Sequence, residues 1–141
     1  MKLKTFFYYF LHVTWGIINN VVALIIAIVL FIVNPRRNRK MFFNSLAIEW
    51  KIKCSLGIGL FIFSDLKNED ILVHEYGHNL QSAILGPLFL PLIGIPSLLW
   101  CEIPALIKVR RKRNINYYNF YTEKFANKLA KKVTGLNPRE R

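Results

Sequence analysis

"LVHEYGHNLQS", residues 72–82, sets two histidines four positions apart with a glutamate directly after the first. On an α-helix, residues i and i+4 lie on one face, one turn apart. His74 and His78 would then turn both rings toward one point. The flanking sequence supports a helix. "SDLKNED" upstream offers Ser64, Asp65 or Asn68 as a cap. Glu69 and Asp70 suit the positive end of a helix dipole. Gly86 and Pro87 close the segment. We therefore expect one helix from about Glu69 to Leu85.

Imidazoles at this spacing bind zinc, and a catalytic zinc site takes three protein ligands and a water. Glu75, beside the first ligand, is placed to take a proton from that water. This is the HExxH pattern. The plainer alternative is a pair of surface histidines. Only three histidines occur in the chain, and two of them bracket a glutamate here. Gly77, between them, leaves room for a neighbouring element to pack closely.

A third ligand is required. His12 lies in an apolar N-terminal run and reads as interfacial. Asp65 and Asp70 are too near in sequence to fold back, and Glu102 lies among prolines. Glu123, in "YTEKFANKLA" (121–130), sits on a separate expected helix from about Tyr117 to Val133, ended by Gly135 and Pro138. Asn127 lies one turn further on and can hydrogen-bond a ligand histidine. Ala126 would let the two helices approach closely. The competing reading is an exposed Glu123 paired with Lys124 or Lys128, an interaction worth little.

"HEYGH" followed by the later "ExxAN" resembles the gluzincin branch of zinc metallopeptidases. There HExxH stands on one helix and a glutamate ligand on a second. Glu123, Ala126 and Asn127 match the second pattern, with Asn where Asp is usual. More closely, "SLGIGLFIF", "HEYGHNLQS", "LGPLFLPLIGIPSLLW" and "FYTEKFANKLA" together resemble a family of small bacterial membrane proteins with a zincin-like core. The likeness covers roughly residues 55–133. It implies a fold and a site: His74, His78 and Glu123 on Zn2+, Glu75 as base, and Asn127 behind a ligand. By analogy, strand 57–63 would border the substrate cleft. No particular substrate is implied.

The rest of the chain suggests where such a site would sit. Of the 141 residues, 53% are hydrophobic and 14% aromatic, which excludes a disordered chain; the net charge is +12. The apolar residues form long blocks flanked by basic clusters. That arrangement suits a membrane protein and its lipid better than a nucleic-acid binder, and we expect no nucleic-acid partner. The run from about Val13 to Val33 is long enough to span a bilayer, although Asn19 and Asn20 interrupt it. Lys2 and Lys4 fit a signal peptide's n-region, but no small-x-small cleavage site follows, so an uncleaved transmembrane helix is expected. Pro35 ends it, and Arg36, Arg37, Arg39 and Lys40 place its exit in the cytoplasm.

Residues 1–40 thus read as a membrane anchor and 41–141 as a metal-binding domain. The fold class is α+β, mainly helical, with a short β-hairpin of strands near 45–53 and 57–63. The apolar segment 83–107 carries four prolines. The ligands lie on either side of it in sequence, so it must return to its starting side as a re-entrant or buried segment. The basic stretch Lys108–Arg113 at its exit agrees with a site on the cytoplasmic face of a bacterial cell membrane. Cys54 and Cys101 form no CxxC pair and read as reduced thiols, with a single disulfide as the alternative.

The expected function is a membrane-anchored zinc metallohydrolase acting on a peptide or protein. Tyr117, Tyr118 and Tyr121 are candidates to stabilise an oxyanion. One alternative is a non-enzymatic or inactive zincin-like protein. The other is an intramembrane protease of the site-2 kind, for which the aspartate-glycine ligand motif is missing.

Overall fold

In the computed structural model, which describes residues 3–140, the apolar runs after the N-terminal segment form a four-stranded sheet. Lys2, part of the N-terminal charge, lies outside the described residues. The strands are β1 (Arg39–Phe42), β2 (Ser45–Glu49), β3 (Leu56–Ile58) and β4 (Phe61–Ser64), in the order β1-β2-β4-β3. The two expected strands are not partners in one hairpin. The expected strand 45–53 shortens to β2, which pairs with β1 across a turn at Phe43 (φ 50°), and the expected strand 57–63 is itself split at Gly59 (φ 59°) into the hairpin β3–β4. That leaves β2 and β4 side by side and parallel, with antiparallel edges. Ala47, Ile48, Ile62 and Phe63 on the central pair are buried, as expected for a sheet covered on both faces.

Helix α3 (Glu69–Leu85) has the expected bounds and packs on the sheet. Asn68 stands at its cap position, but its amide donates to Asp65 Oδ2 (2.9 Å) rather than capping the helix. Asp70 accepts the Ile71 N–H at 2.9 Å, which supports the acidic first turn.

The N-terminal apolar run is two helices rather than one span. α1 (Leu3–Val13) and α2 (Ile17–Val33) meet at 81°. Among the described residues no single helix is long and apolar enough to cross a membrane. The break falls at Thr14–Gly16, and the asparagines lie inside α2, where their amides need partners that lipid cannot supply. Asn19 donates to Ser82 Oγ (2.9 Å) and to the Gly86 carbonyl (2.8 Å). Asn20 accepts the Leu60 N–H (2.8 Å) and donates to the His12 carbonyl (2.7 Å). These bonds hold α2 against α3 and the β3–β4 turn. Asn19, Ala23 and Ala27, four apart, form its buried stripe. Ile18, Val21, Ile25, Ile28 and Ile32 on the other face are exposed.

Segment 83–107 finishes α3, makes a tight turn and a π-helical turn (Leu90–Gly94), and continues as α4 (Ile95–Glu102) and α5 (Pro104–Lys112). α4 and α5 bend by 72° at Ile103, the residue before Pro104. Phe89 and Ile93 point into the core, while Leu88, Leu92, Ile95 and Leu98 face outward. The segment does return to the core, because Ser97 and Trp100 both touch the C-terminal region. Cys54 and Cys101 are joined as a disulfide, which corrects the reduced-thiol expectation. The link ties the loop before β3 to α4, two segments that no sequence spacing relates.

The last helix, α6 (Tyr121–Thr134), ends at Gly135 in the left-handed conformation (φ 74°). It crosses α3 at Gly77. A Cβ there would lie 2.2 Å from the Ala126 carbonyl oxygen, so only glycine permits the crossing. The fold is α+β and 64% helical, so helices α3 and α6, rather than the sheet, hold the candidate ligands.

Gly77→Ala should therefore lower stability by about 1–3 kcal/mol, the usual cost of overpacking. Gly94→Ala, whose Cβ would meet nothing nearer than 3.5 Å, should leave it unchanged. Thermal unfolding in detergent checks both.

Candidate metal centre

The α3–α6 crossing brings Glu123 under both histidines. His74 Nε2 lies 2.9 Å and His78 Nε2 3.3 Å from Glu123 Oε2. All three side chains are buried, and their ligand atoms lie within 4.8 Å of one another. Lys124 and Lys128 are exposed and make no ion pair with Glu123, so the competing surface reading of that residue fails.

The outer ring nitrogens fix the protonation of the inner ones. His74 Nδ1 meets Asn127 Oδ1 at 2.5 Å, and the Asn127 amide nitrogen donates to the Arg139 carbonyl at 2.8 Å. His78 Nδ1 meets Gln81 Oε1 at 2.7 Å, and the Gln81 amide nitrogen donates to the Thr122 carbonyl at 2.9 Å. A carbonyl can only accept, so each amide must turn its oxygen to the histidine. Both Nδ1 atoms therefore carry hydrogen, and in the neutral rings both Nε2 atoms present lone pairs. Two imidazole lone pairs and a carboxylate oxygen then converge on one point. Three acceptors cannot satisfy each other, so the cluster needs a proton or a cation between them, and its atoms are close enough together to hold a metal ion. The nitrogen and oxygen donors suit zinc.

In the metal-free chain, protons take that place. Burial would lower His78, but the Glu123 carboxylate overrides it and raises the ring to about 9. Burial would likewise raise Glu123. His78 and His74 reverse this and hold the carboxyl well below the usual carboxylate range. The second Glu123 oxygen accepts from Thr122 Oγ1 (2.9 Å) and from Ser97 Oγ.

Glu75 is buried next to the ligands and lines a cleft of about 580 Å³ together with His74, Tyr117 and Tyr118. Burial pushes its carboxyl up, and the His74 and His78 rings offset part of that. Gly57 of β3 packs on the backbone here; a Cβ at Gly57 would lie 2.1 Å from the Glu75 carbonyl oxygen. Leu56 and Gly57 of this edge strand line a small separate pocket together with Glu75 and His78. Tyr118 stacks edge-on against His74, with centroids 4.9 Å apart. Tyr121 turns away, its hydroxyl donating to the Leu92 carbonyl at 2.7 Å.

The structure brings His74, His78 and Glu123 together, with Asn127 hydrogen-bonded to His74 and Glu75 beside them. Gln81, Ser97 and Thr122 were missed. Gln81 lies one turn after His78 on the same helix, a spacing that points to it. Ser97 carries no sequence signal, since only the return of α4 brings it near. Cys54 and Cys101, which line the cleft, form a second close group with Glu102, but their sulfurs are joined to each other. His12, Asp65 and Asp70 belong to neither group. Compared with protein-family models, curated proteins and solved structures, the chain finds no match.

Because His78 is raised, its pairing stabilises the metal-free fold fully below about pH 6.5 and is lost as pH rises through about 9. The melting temperature of the metal-free chain should fall across that window, and added zinc should abolish the fall. Asn127→Ala should weaken zinc binding by about 10–100-fold, read by competition with a chelator.

Proposed function

We propose that the chain is a membrane-associated zinc hydrolase of the HExxH type, with a peptide or protein as substrate. The observation that carries this reading is the convergence of three acceptor atoms on one point beside a buried glutamate in an open cleft. A structural zinc site would be closed by a fourth protein ligand. The described residues supply three, and two neighbours of that group, His74 and Glu75, line the open cleft.

Zinc bound there would polarise a carbonyl and lower the pKa of water at the site. His74, His78 and Glu123 would hold it, and the amides of Asn127 and Gln81 keep the imidazoles in the required tautomer. The Glu75 carboxyl takes a proton from the attacking water and passes it to the leaving amine. Its raised pKa suits that shuttle, because a more basic carboxylate accepts the proton more readily. Burial also raises the Tyr117 and Tyr118 phenols, Tyr118 to about 12. Both remain protonated donors at neutral pH, able to face a developing oxyanion. β3 offers an edge on which an extended peptide could lie.

The membrane part of the reading rests on exposed apolar surface. The outer faces of α1 and α2 and the Leu88–Leu99 stretch expose many large hydrophobic side chains. Soluble chains rarely expose contiguous patches beyond a few hundred Å². The bent pairs α1–α2 and α4–α5 suit partial insertion from one side. The basic clusters at 36–40 and 108–113 set that side as cytoplasmic. The Cys54–Cys101 bridge pulls the other way, since cytosolic thiols are kept reduced. The reading follows the charges, which are many, over one bond that a reducing compartment breaks.

Glu75→Gln should keep stoichiometric zinc and lose hydrolysis of a peptide library. Full activity in that variant would remove the mechanism, and a wild type without zinc would remove the reading. In intact cells a thiol-reactive mass tag should label Cys54 and Cys101 without prior reduction. Protection from the tag would move the site to the opposite side of the membrane.

A further inference from the structure

The walls of the cleft carry charges that the hydrolytic machinery does not use. Lys53, Arg110, Arg111 and Arg139 line it, against the single carboxylate of Glu75. Arg139 faces Asp70 at 3.9 Å. Among the described residues no carboxylate pairs with Lys53, Arg110 or Arg111.

Arg110 is the most constrained of these. Its guanidinium carbon lies 4.9 Å from the Trp100 ring centroid and 5.0 Å from that of Tyr117. The two rings belong to a fixed frame, because the Trp100 indole donates to the Tyr117 carbonyl at 3.0 Å and Trp100 stacks on Phe120 with centroids 4.7 Å apart. The Arg110 Nε is buried and makes no hydrogen bond. An arginine held between aromatic faces with unused donors has lost the conformational freedom that binding would otherwise cost. Its planar fork matches a carboxylate. Tyr117, the ring it rests against, also lines the cleft with Glu75 and His74. Arg110 therefore stands one aromatic ring away from the metal centre.

We propose that the cleft selects substrates bearing a carboxylate, C-terminal or on a side chain, and that Arg110 is the residue that receives it. The selectivity rests on the cleft alone. That the bound molecule is then cleaved rests on the hydrolase reading above. The cationic walls would also raise the local concentration of anionic substrates and exclude basic ones.

The test uses the full chain in detergent with Glu75→Gln, so that nothing turns over. Three probes are titrated: N-acetyl-tetraalanine with a free C-terminus, its C-terminal amide, and that amide with glutamate at the third position. The acid should bind about tenfold more tightly than the amide. The glutamate probe shows whether a side-chain carboxylate restores the difference. Adding Arg110→Gln should bring the acid down to the amide's affinity. Arg110→Lys should restore only part, since a point charge lacks the fork. Lys53→Gln serves as a second variant outside the aromatic frame and should weaken the acid more than the amide.

Equal affinity of acid and amide would overturn the proposal. So would an acid preference that survives Arg110→Gln but disappears on stripping the metal, since the ion itself would then hold the carboxylate. Tighter binding of phosphatidylglycerol vesicles than of any peptide, lost in Arg110→Gln, would assign the site to a lipid headgroup instead. Zinc content is measured separately on each sample. A chain without zinc that still prefers the acid would refute the hydrolase and leave the carboxylate site standing.

Discussion

The structure depends on the closeness of two helices at one point. α3 and α6 cross where Gly77 has no side chain and Ala126 has a small one. Any Cβ at position 77 would collide with the Ala126 carbonyl. Glu123 lies one turn before that contact on α6, and the two histidines straddle it on α3. The same contact that seals the helix interface therefore sets the distance between carboxylate and imidazoles. Packing and ligand geometry are one constraint, and neither can be relaxed without the other.

A second row of hydrogen bonds turns that closeness into a site with a defined chemical need. Asn127 and Gln81 each join a histidine to a backbone carbonyl of the C-terminal region. Because the carbonyl end can only accept, the amides transmit their orientation to the rings. The inner nitrogens are left as lone pairs facing an anionic oxygen. A buried cluster of acceptors is costly unless a cation or protons lie within it. The asparagines of α2 play the corresponding role for the apolar part. They tie a helix with an exposed greasy face to α3 and the β3–β4 turn, so the cleft and the apolar belt belong to one body.

How much of this could be read from the residues differs by element. α3 was legible to its ends, because an acidic first turn and a closing Gly-Pro bracket a helical run. The candidate ligand group followed from i, i+4 spacing and from a second helix with a small residue at a packing position. The sheet order was not legible. Strands of three to five residues carry little period-2 signal, and the two left-handed turns that fold them back include Phe43, a residue type rarely found there. The expected span was started too early because its length and hydropathy outweighed the break at Thr14–Gly16, and the long-range partners of its asparagines, Ser82, Gly86 and Leu60, lie 40 or more residues away. Ser97 and the Cys54–Cys101 link were invisible for the same reason, since both depend on how the proline-rich segment returns.

The sharpest test is X-ray absorption at the zinc edge on the loaded full-length chain. The account predicts a first shell of nitrogen and oxygen only, near 2.0–2.1 Å, with multiple scattering from two imidazoles. A sulfur shell near 2.3 Å would place the ion at Cys54 and Cys101 and contradict the account.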